Sequence, residues 1–381
     1  MITIRPGSHV LRLLQLLSVA GEFPVSSLSL LGNDRVIRML VHKLESVQDF
    51  RLKAGGEIYH TKLIQVSRVD GKNDTRTIRL YKKAIPLLDL LYPHLSDYYL
   101  ETFKGHSFSG DRFHIRRNHR VAEALAACML ARIEIRPYIL PPLQKSAISN
   151  IVPASPSFYI ARDFKKTDAD RPNKTMFTRI IGALFYKGGC YAVYNTRDAV
   201  MKWSGRGELK AARNLLELTR MNAGLDDAPS ALLFGATYET AMKTVMESDK
   251  NRRADMRFDR IYTRVHFVPL DQTGVRLLRQ FVLPDWNEKL LSRLFAPEER
   301  SYNLGYMEYD ATVNGRKILS HLDCDIARLI RFSEALKANP EPADVLCYSW
   351  QTEFLKSYLG SLAMIRELEM SVVHAAMGLA L

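Results

Sequence analysis

The feature that most constrains this chain is the stretch from Ser8 to Lys83, where apolar spacing, turn residues and charge agree. Val10, Leu13, Leu14 and Leu17 recur at helical spacing and predict a first helix that ends at Gly21. A short apolar segment follows Pro24 (Val25, Leu28, Leu30, Leu31) and is closed by Gly32. Asn33 or Asp34 then caps a third helix, on which Val36, Ile37, Leu40, Val41 and Leu44 form one apolar stripe. Arg35, Arg38, His42 and Ser46 fall within about 80° of one another on the opposite side. A β-hairpin is expected next: Leu63–Val69, a polar turn over Asp70–Asp74, then Thr75–Tyr81. Three helices followed by a basic hairpin is the order of a winged helix. In helix-turn-helix proteins the last of these helices enters the DNA major groove, and a wing can follow the backbone or the minor groove.

On this reading Arg35, Arg38 and His42 face the groove and Lys43 lies beside the backbone. Lys72, Arg76 and Arg79 make phosphate contacts from the wing, and Lys82, Arg116, Arg117 and Arg120 extend the basic surface. Double-stranded DNA is the expected partner. A basic helix face is also compatible with a protein-interaction wing or with a plainly solvated helix. Charge weighs toward DNA: residues 1–137 hold 21 Lys+Arg against 13 Asp+Glu, and the other 244 residues hold 33 against 28. A basic field attracts a polyanion and supplies affinity without sequence information.

A chain of 381 residues, 47% of them hydrophobic, can bury more than one core. The expected fold class is α+β: a winged-helix domain with a helical extension over 1–136, a proline-rich connection over 137–157, and a mixed α/β domain over 158–381. Cys128, Cys190, Cys324 and Cys347 form no CxxC pair, which argues against a disulfide framework or a zinc knuckle and fits a reducing cytoplasm. Arg12 and Gln15 interrupt the apolar run near the N-terminus, so it reads as an amphipathic helix rather than a signal peptide. No stretch approaches the roughly 20 apolar residues of a membrane span. A cytoplasmic location without a membrane partner is the expectation.

Further along, Lys83–Leu91 reads as a short helix stopped by Pro93, Asp97–Phe103 as another half-turn or helix, and His119–Ile133 as an alanine-rich helix behind a polar leader, Phe113–Arg120. His114 and His119 in that leader have arginines as sequence neighbours, which argues against a metal site. Strands are expected at Phe158–Phe164, Thr178–Tyr186, Cys190–Tyr194, Ala231–Gly235, Tyr262–Pro269 and Val345–Tyr348. Helices are expected at Arg206–Met221, Tyr238–Glu247, Thr273–Phe281, Trp286–Phe295, Ile326–Leu336 and from Gln351 onward. A second hairpin, Tyr302–Ala311 with Arg316–Leu322, is centred on Asn314-Gly315.

Phosphate-cradling loops and the common hydrolase signatures are missing. The catalytic reading with most content is a Mg²⁺-dependent endonuclease, which needs two carboxylates and a lysine. Weak matches are Asp163 with Lys165, and Glu208 with Lys210, the latter with Asp198 ten residues before. Between Phe177 and Tyr194, where such an enzyme would need an acid, there is none. No metal or other cofactor is expected unless that alternative holds. A winged-helix transcriptional repressor, with the α/β half sensing a ligand or forming a homodimer, is the third reading.

Five segments resemble the replication-relaxation family of plasmids and integrative conjugative elements: Ala20–Pro24, Leu31–Arg35, Ile78–Lys82, Arg117–Glu123 and Ala192–Asn195. The resemblance implies a winged helix followed by a degenerate restriction-endonuclease-like domain. It implies action on mobile-element DNA during replication or transfer, with a relaxase or other transfer proteins as partners. Members often carry an acidic pair in the second domain. Tyr194 and Asn195 stand in the corresponding hairpin here, which favours an accessory, non-catalytic role.

Overall fold

The computed structural model describes residues 1–52, 56–70, 73–108, 110–136, 156–162, 179–203, 205–223, 230–246, 257–301 and 307–379. The chain forms two compact units, Met1–Ile139 with Leu270–Gln272, and the remainder.

The first unit opens with a two-residue strand, β1 (Ile2–Thr3), and a helix, α1 (His9–Ala20). The Ser8 hydroxyl caps α1 by accepting the Leu11 amide at 3.3 Å. Gly21 ends it at φ +82°, where a Cβ would lie 2.4 Å from the Phe103 ring, so both conformation and space require glycine. After a short strand, β2 (Glu22–Pro24), the expected second helix is a 3₁₀ segment, Val25–Leu31. Asn33 accepts the Val36 amide at 3.3 Å and opens α2 (Asp34–Glu45), which buries Ile37, Val41 and Leu44. Val36 does not join that stripe. It lies about 90° of helix rotation from the stripe's centre and is 51% exposed.

Between α2 and the expected hairpin come β3 (Gln48–Arg51) and β4 (Ile58–Thr61), an antiparallel pair that β1 joins in parallel. Four residues apiece leave no period to read, so the sequence alone does not announce them. The hairpin itself is β5 (Ile64–Asp70) and β6 (Asn73–Leu80), with Ile64 opposite Leu80; Gly71 and Lys72 at its turn lie outside the described residues. In this sheet the order is β2-β6-β5, with Glu22 opposite Arg79.

Three helices follow: α3 (Ile85–Leu91), α4 (Pro93–Thr102) and α5 (Arg112–Leu130), then a short strand, β7 (Glu134–Arg136). Helix α3 ends at Leu91, just before Pro93 as expected, and Pro93 also starts α4, since its missing N–H belongs to a first-turn position that needs no partner. The leader before His119 is also helical. Asp111 caps it by accepting the Phe113 amide at 3.3 Å, so Arg116 and Arg117 stand on α5 with Arg120 rather than on a loop before it.

The second unit holds two mixed sheets. In the first, β8 (Ser157–Ile160), β9 (Gly182–Tyr186) and β10 (Gly189–Asn195) run antiparallel in turn. Helix α6 (Gly205–Ala223) leads to β11 (Ser230–Gly235), then α7 (Tyr238–Met246) and α8 (Phe258–Ile261) lead to β12 (Val265–Pro269). Strands β10, β11 and β12 are parallel. Their near-continuous apolar runs, such as Ala231–Phe234, are wholly buried, as a parallel sheet covered on both faces requires.

After α9 (Gln272–Phe281) and α10 (Trp286–Leu294), the second sheet repeats the plan. Strands β13 (Ala311–Val313) and β14 (Arg316–Ser320) form the hairpin, with Asn314 and Gly315 both at positive φ, the demand of its two-residue turn. Helix α11 (Ile326–Ala338) leads to β15 (Ala343–Tyr348), and α12 (Thr352–Leu359) to β16 (Met364–Leu368); β14, β15 and β16 are parallel. A last helix, α13 (Met370–Ala376), follows. The stretch after Gln351, expected to be mostly helix, is two helices with a strand between them. Gly360 at φ +56° turns the chain into β16, an edge strand whose exposed residues carry no clear alternation. No helix among the described residues is long and apolar enough to cross a membrane.

Candidate nucleic-acid interface

Helix α2 packs against β5 and the 3₁₀ segment through its buried stripe and leaves Arg35, Arg38, His42 and Lys43 exposed. Arg38 is not idle there: its Nε donates to Asp34 Oδ2 at 2.7 Å, one turn earlier. Both partners are 46% exposed, so the pair is screened and contributes little to stability. Arg76 on β6 and Lys82 after it are exposed, whereas Lys72 lies outside the described residues. Met39, which the charge-based reading passed over, is 66% exposed on this same face.

Arg79 turns inward. Its Nη2 and Nε donate to Glu22 Oε2 at 2.9 and 3.1 Å, and its guanidinium lies 4.6 Å from the centre of the Phe108 ring. The Glu22 side chain is buried, and its other oxygen accepts from Asn118 at 2.8 Å. One residue on, His119 Nε2 lies 3.0 Å from the Thr77 hydroxyl. Ser27 donates to the buried Glu123 at 2.6 Å. Segments 20–24, 78–82 and 117–123 therefore meet, through Glu22, Arg79, Asn118 and His119, in one polar network that clamps α5 to the sheet. Arg116 and Arg117 face solvent from α5, and Arg120 is half-buried. His114, expected among arginines only, pairs with Asp111 at 2.6 Å.

The nuclease candidates do not share one environment. Glu208 is fully buried at the start of α6 and accepts from the Tyr194 hydroxyl and the Arg179 amide, each at 2.6 Å. Burial and that carboxylate push the Tyr194 hydroxyl well above its ordinary pKa, so it stays protonated and donates. Asp198 and Lys210 are exposed. Asp163 and Lys165 lie outside the described residues. Among the described residues no three His, Cys, Asp or Glu side chains are grouped to hold a metal ion.

A second polar cluster gathers Asp310, His321, Asp323 and Arg328 around the second hairpin, with Tyr238 arriving from 83 residues before His321. Buried Arg328 pairs with Asp310 and, at 3.3 Å, with Asp323. Burial raises the Asp310 carboxyl; it opposes the charge of Asp323 too, but Arg328 holds that carboxyl below its usual range. His321 bonds the Tyr238 hydroxyl, and burial lowers its pKa to about 4. A cavity of about 300 Å³ opens beside Arg328, lined also by Arg264, Arg300, Glu288, Glu308 and Asp310. Each acid on its wall already faces an arginine: Glu288 meets Arg300, Glu308 meets Arg331, and Asp310 meets Arg328. Asp325 caps α11, accepting the Arg328 amide at 3.2 Å.

No family model, curated protein or solved structure matches the chain. The chemistry of the α2 face therefore carries the functional argument. It is a convex, cationic helix with its apolar side anchored, suited to contacting an extended anion rather than enclosing a small molecule.

Proposed function

We propose that the chain is a DNA-binding protein of a mobile genetic element, with a winged helix in its first unit that grips duplex DNA. The observation that carries this reading is the solvent face of α2, where Arg35, Arg38, His42 and Lys43 stand exposed while Ile37, Val41 and Leu44 hold the helix against its unit. Exposed Arg76 on the hairpin supports wing contacts to phosphate. The charge surplus in residues 1–137 supports a polyanionic partner.

The resemblance to replication-relaxation proteins gives the reading its setting: an accessory role in plasmid or conjugative-element replication or transfer, alongside a relaxase or other transfer proteins. The second unit is read as a degenerate restriction-endonuclease-like domain. Its β9–β10 hairpin, residues 182–195, contains no Asp or Glu, and Glu208 is engaged by Tyr194 and Arg179; both features support binding without cleavage.

The test is one agarose gel. Supercoiled plasmid is incubated with the full chain, with and without Mg²⁺ or Mn²⁺, and run before and after protease digestion. A retarded band that returns to intact supercoil after digestion is the expected result. Open-circle DNA that forms only with metal would replace this reading with the endonuclease one. No shift at low salt would remove DNA binding altogether.

A further inference from the structure

On α2 two large apolar side chains stand in solvent: Met39 is 66% exposed and Val36 51%. The buried stripe of Ile37, Val41 and Leu44, with half-buried Leu40, defines the middle of the opposite face. Arg35 and Ser46 lie within about 10° of that middle, His42 and Met39 within about 30°, and Arg38 and Lys43 about 70° to either side. Met39 therefore belongs to the central row, closer to the middle than Arg38, which is also drawn toward Asp34. Val36 stands on the flank, one turn before Leu40.

A face whose central row sets Met39 among Arg35, His42 and Ser46, with a cation on each flank, fits a partner that presents apolar features among polar ones between two anionic rails. The major groove supplies this. It is about 12 Å wide, admits one helix between two phosphate strands, and presents the thymine 5-methyl group among otherwise polar base edges. Residues near the N-terminus of a recognition helix are the ones that reach base edges, and Arg35, Val36 and Met39 occupy the first two turns of α2.

We propose that Met39, with Val36 beside it, reads thymine methyl groups in the major groove, so that α2 selects A·T pairs at the positions it faces. This rests on the DNA-binding reading above. The test begins with a duplex enriched from a randomised library by the full chain. Each thymine is then replaced singly by deoxyuridine, which removes the methyl group and keeps the base pair. One or two replacements are expected to weaken binding about threefold to tenfold. Met39→Ala should bind the unmodified duplex correspondingly less well and lose the response to those replacements. Because Met39 is exposed, its truncation leaves the core intact. Unchanged affinity at every thymine, an undiminished response in Met39→Ala, or binding with no enriched sequence would overturn the inference and leave DNA binding standing. No retention of any duplex would remove both.

Discussion

Arg79 donates from Nη2 and Nε to Glu22 Oε2 at 2.9 and 3.1 Å, in a cross-strand pair whose carboxylate is buried and whose arginine side chain is 22% exposed. An arginine expected on the DNA side of the hairpin thus ties β6 to β2, and through Asn118 to α5. Arg79→Ala strands a buried carboxylate and should cost about 3 kcal/mol of stability. Arg76→Ala, at an exposed position on the same strand, should leave stability within about 0.5 kcal/mol and lower DNA affinity evenly across sequences. Urea unfolding beside fluorescence anisotropy with duplex DNA separates the two. A stable Arg79→Ala variant that binds DNA poorly would return Arg79 to the interface.

Asp34 holds Arg38 on the face of α2. Asp34→Asn keeps the size of the side chain, releases the guanidinium and removes a negative charge beside the proposed phosphate path. Affinity for duplex DNA should rise severalfold, and the salt dependence should steepen by about one counterion. The cost to the helix is about 0.3–1 kcal/mol, from a lost first-turn acid. Binding isotherms over a series of salt concentrations check both; an unchanged slope would mean that Arg38 does not reach phosphate.

Glu208 accepts from Tyr194 and from the Arg179 amide in a fully buried position. Glu208→Ala should leave the Arg179 amide unsatisfied and the Tyr194 hydroxyl with Tyr262 in place of a carboxylate, and destabilise the second unit by about 2–4 kcal/mol. Thermal unfolding is the readout. A Glu208→Ala protein that unfolds like the parent but loses a metal-dependent nicking activity would restore the endonuclease reading.

His321 gives acid sensitivity of known sign. In the unfolded chain its imidazole takes a proton near pH 6.5, whereas burial beside Tyr238 delays protonation to about pH 4 in the folded unit. Between those values the unfolded chain binds the extra proton. The contribution is therefore complete above about pH 6.5 and is lost progressively down to about pH 4, amounting to ~3 kcal/mol. His374, lowered to about 4 as well, adds in the same direction. Urea unfolding at pH 7.5, 6 and 5 should show declining stability, with a shallower decline in His321→Gln. Equal slopes in the two proteins would exclude His321 as the sensor.

Local patterns carried much of this structure. The cap at Asn33, the glycine stop at Gly21 and the Asn314-Gly315 turn act within a few residues, so their geometry follows from side chains adjacent in sequence. The apolar runs of β11 and β12 were equally plain. Short elements escaped: β2, β3 and β4 are three or four residues long and are held by pairing rather than by any period of their own. Pro93 was ambiguous, because proline ends one helix and begins another by the same missing donor.

The sequence by itself determined that α2 would be an amphipathic helix with Arg35, Arg38, His42 and Lys43 off its apolar stripe, because helical rotation alone sorts residues into faces. Only the tertiary structure decided which cations remain on the surface. Arg79 and Arg76 share a strand, but Glu22 arrives 57 residues earlier in the chain to bury one, and nothing in local spacing announces that meeting. The same holds for Glu208 and for Asp310, Asp323 and Arg328. A carboxylate becomes a ligand, a cap or half of a buried pair according to what the fold sets within about 3 Å of it, where desolvation and charge pairing are decided.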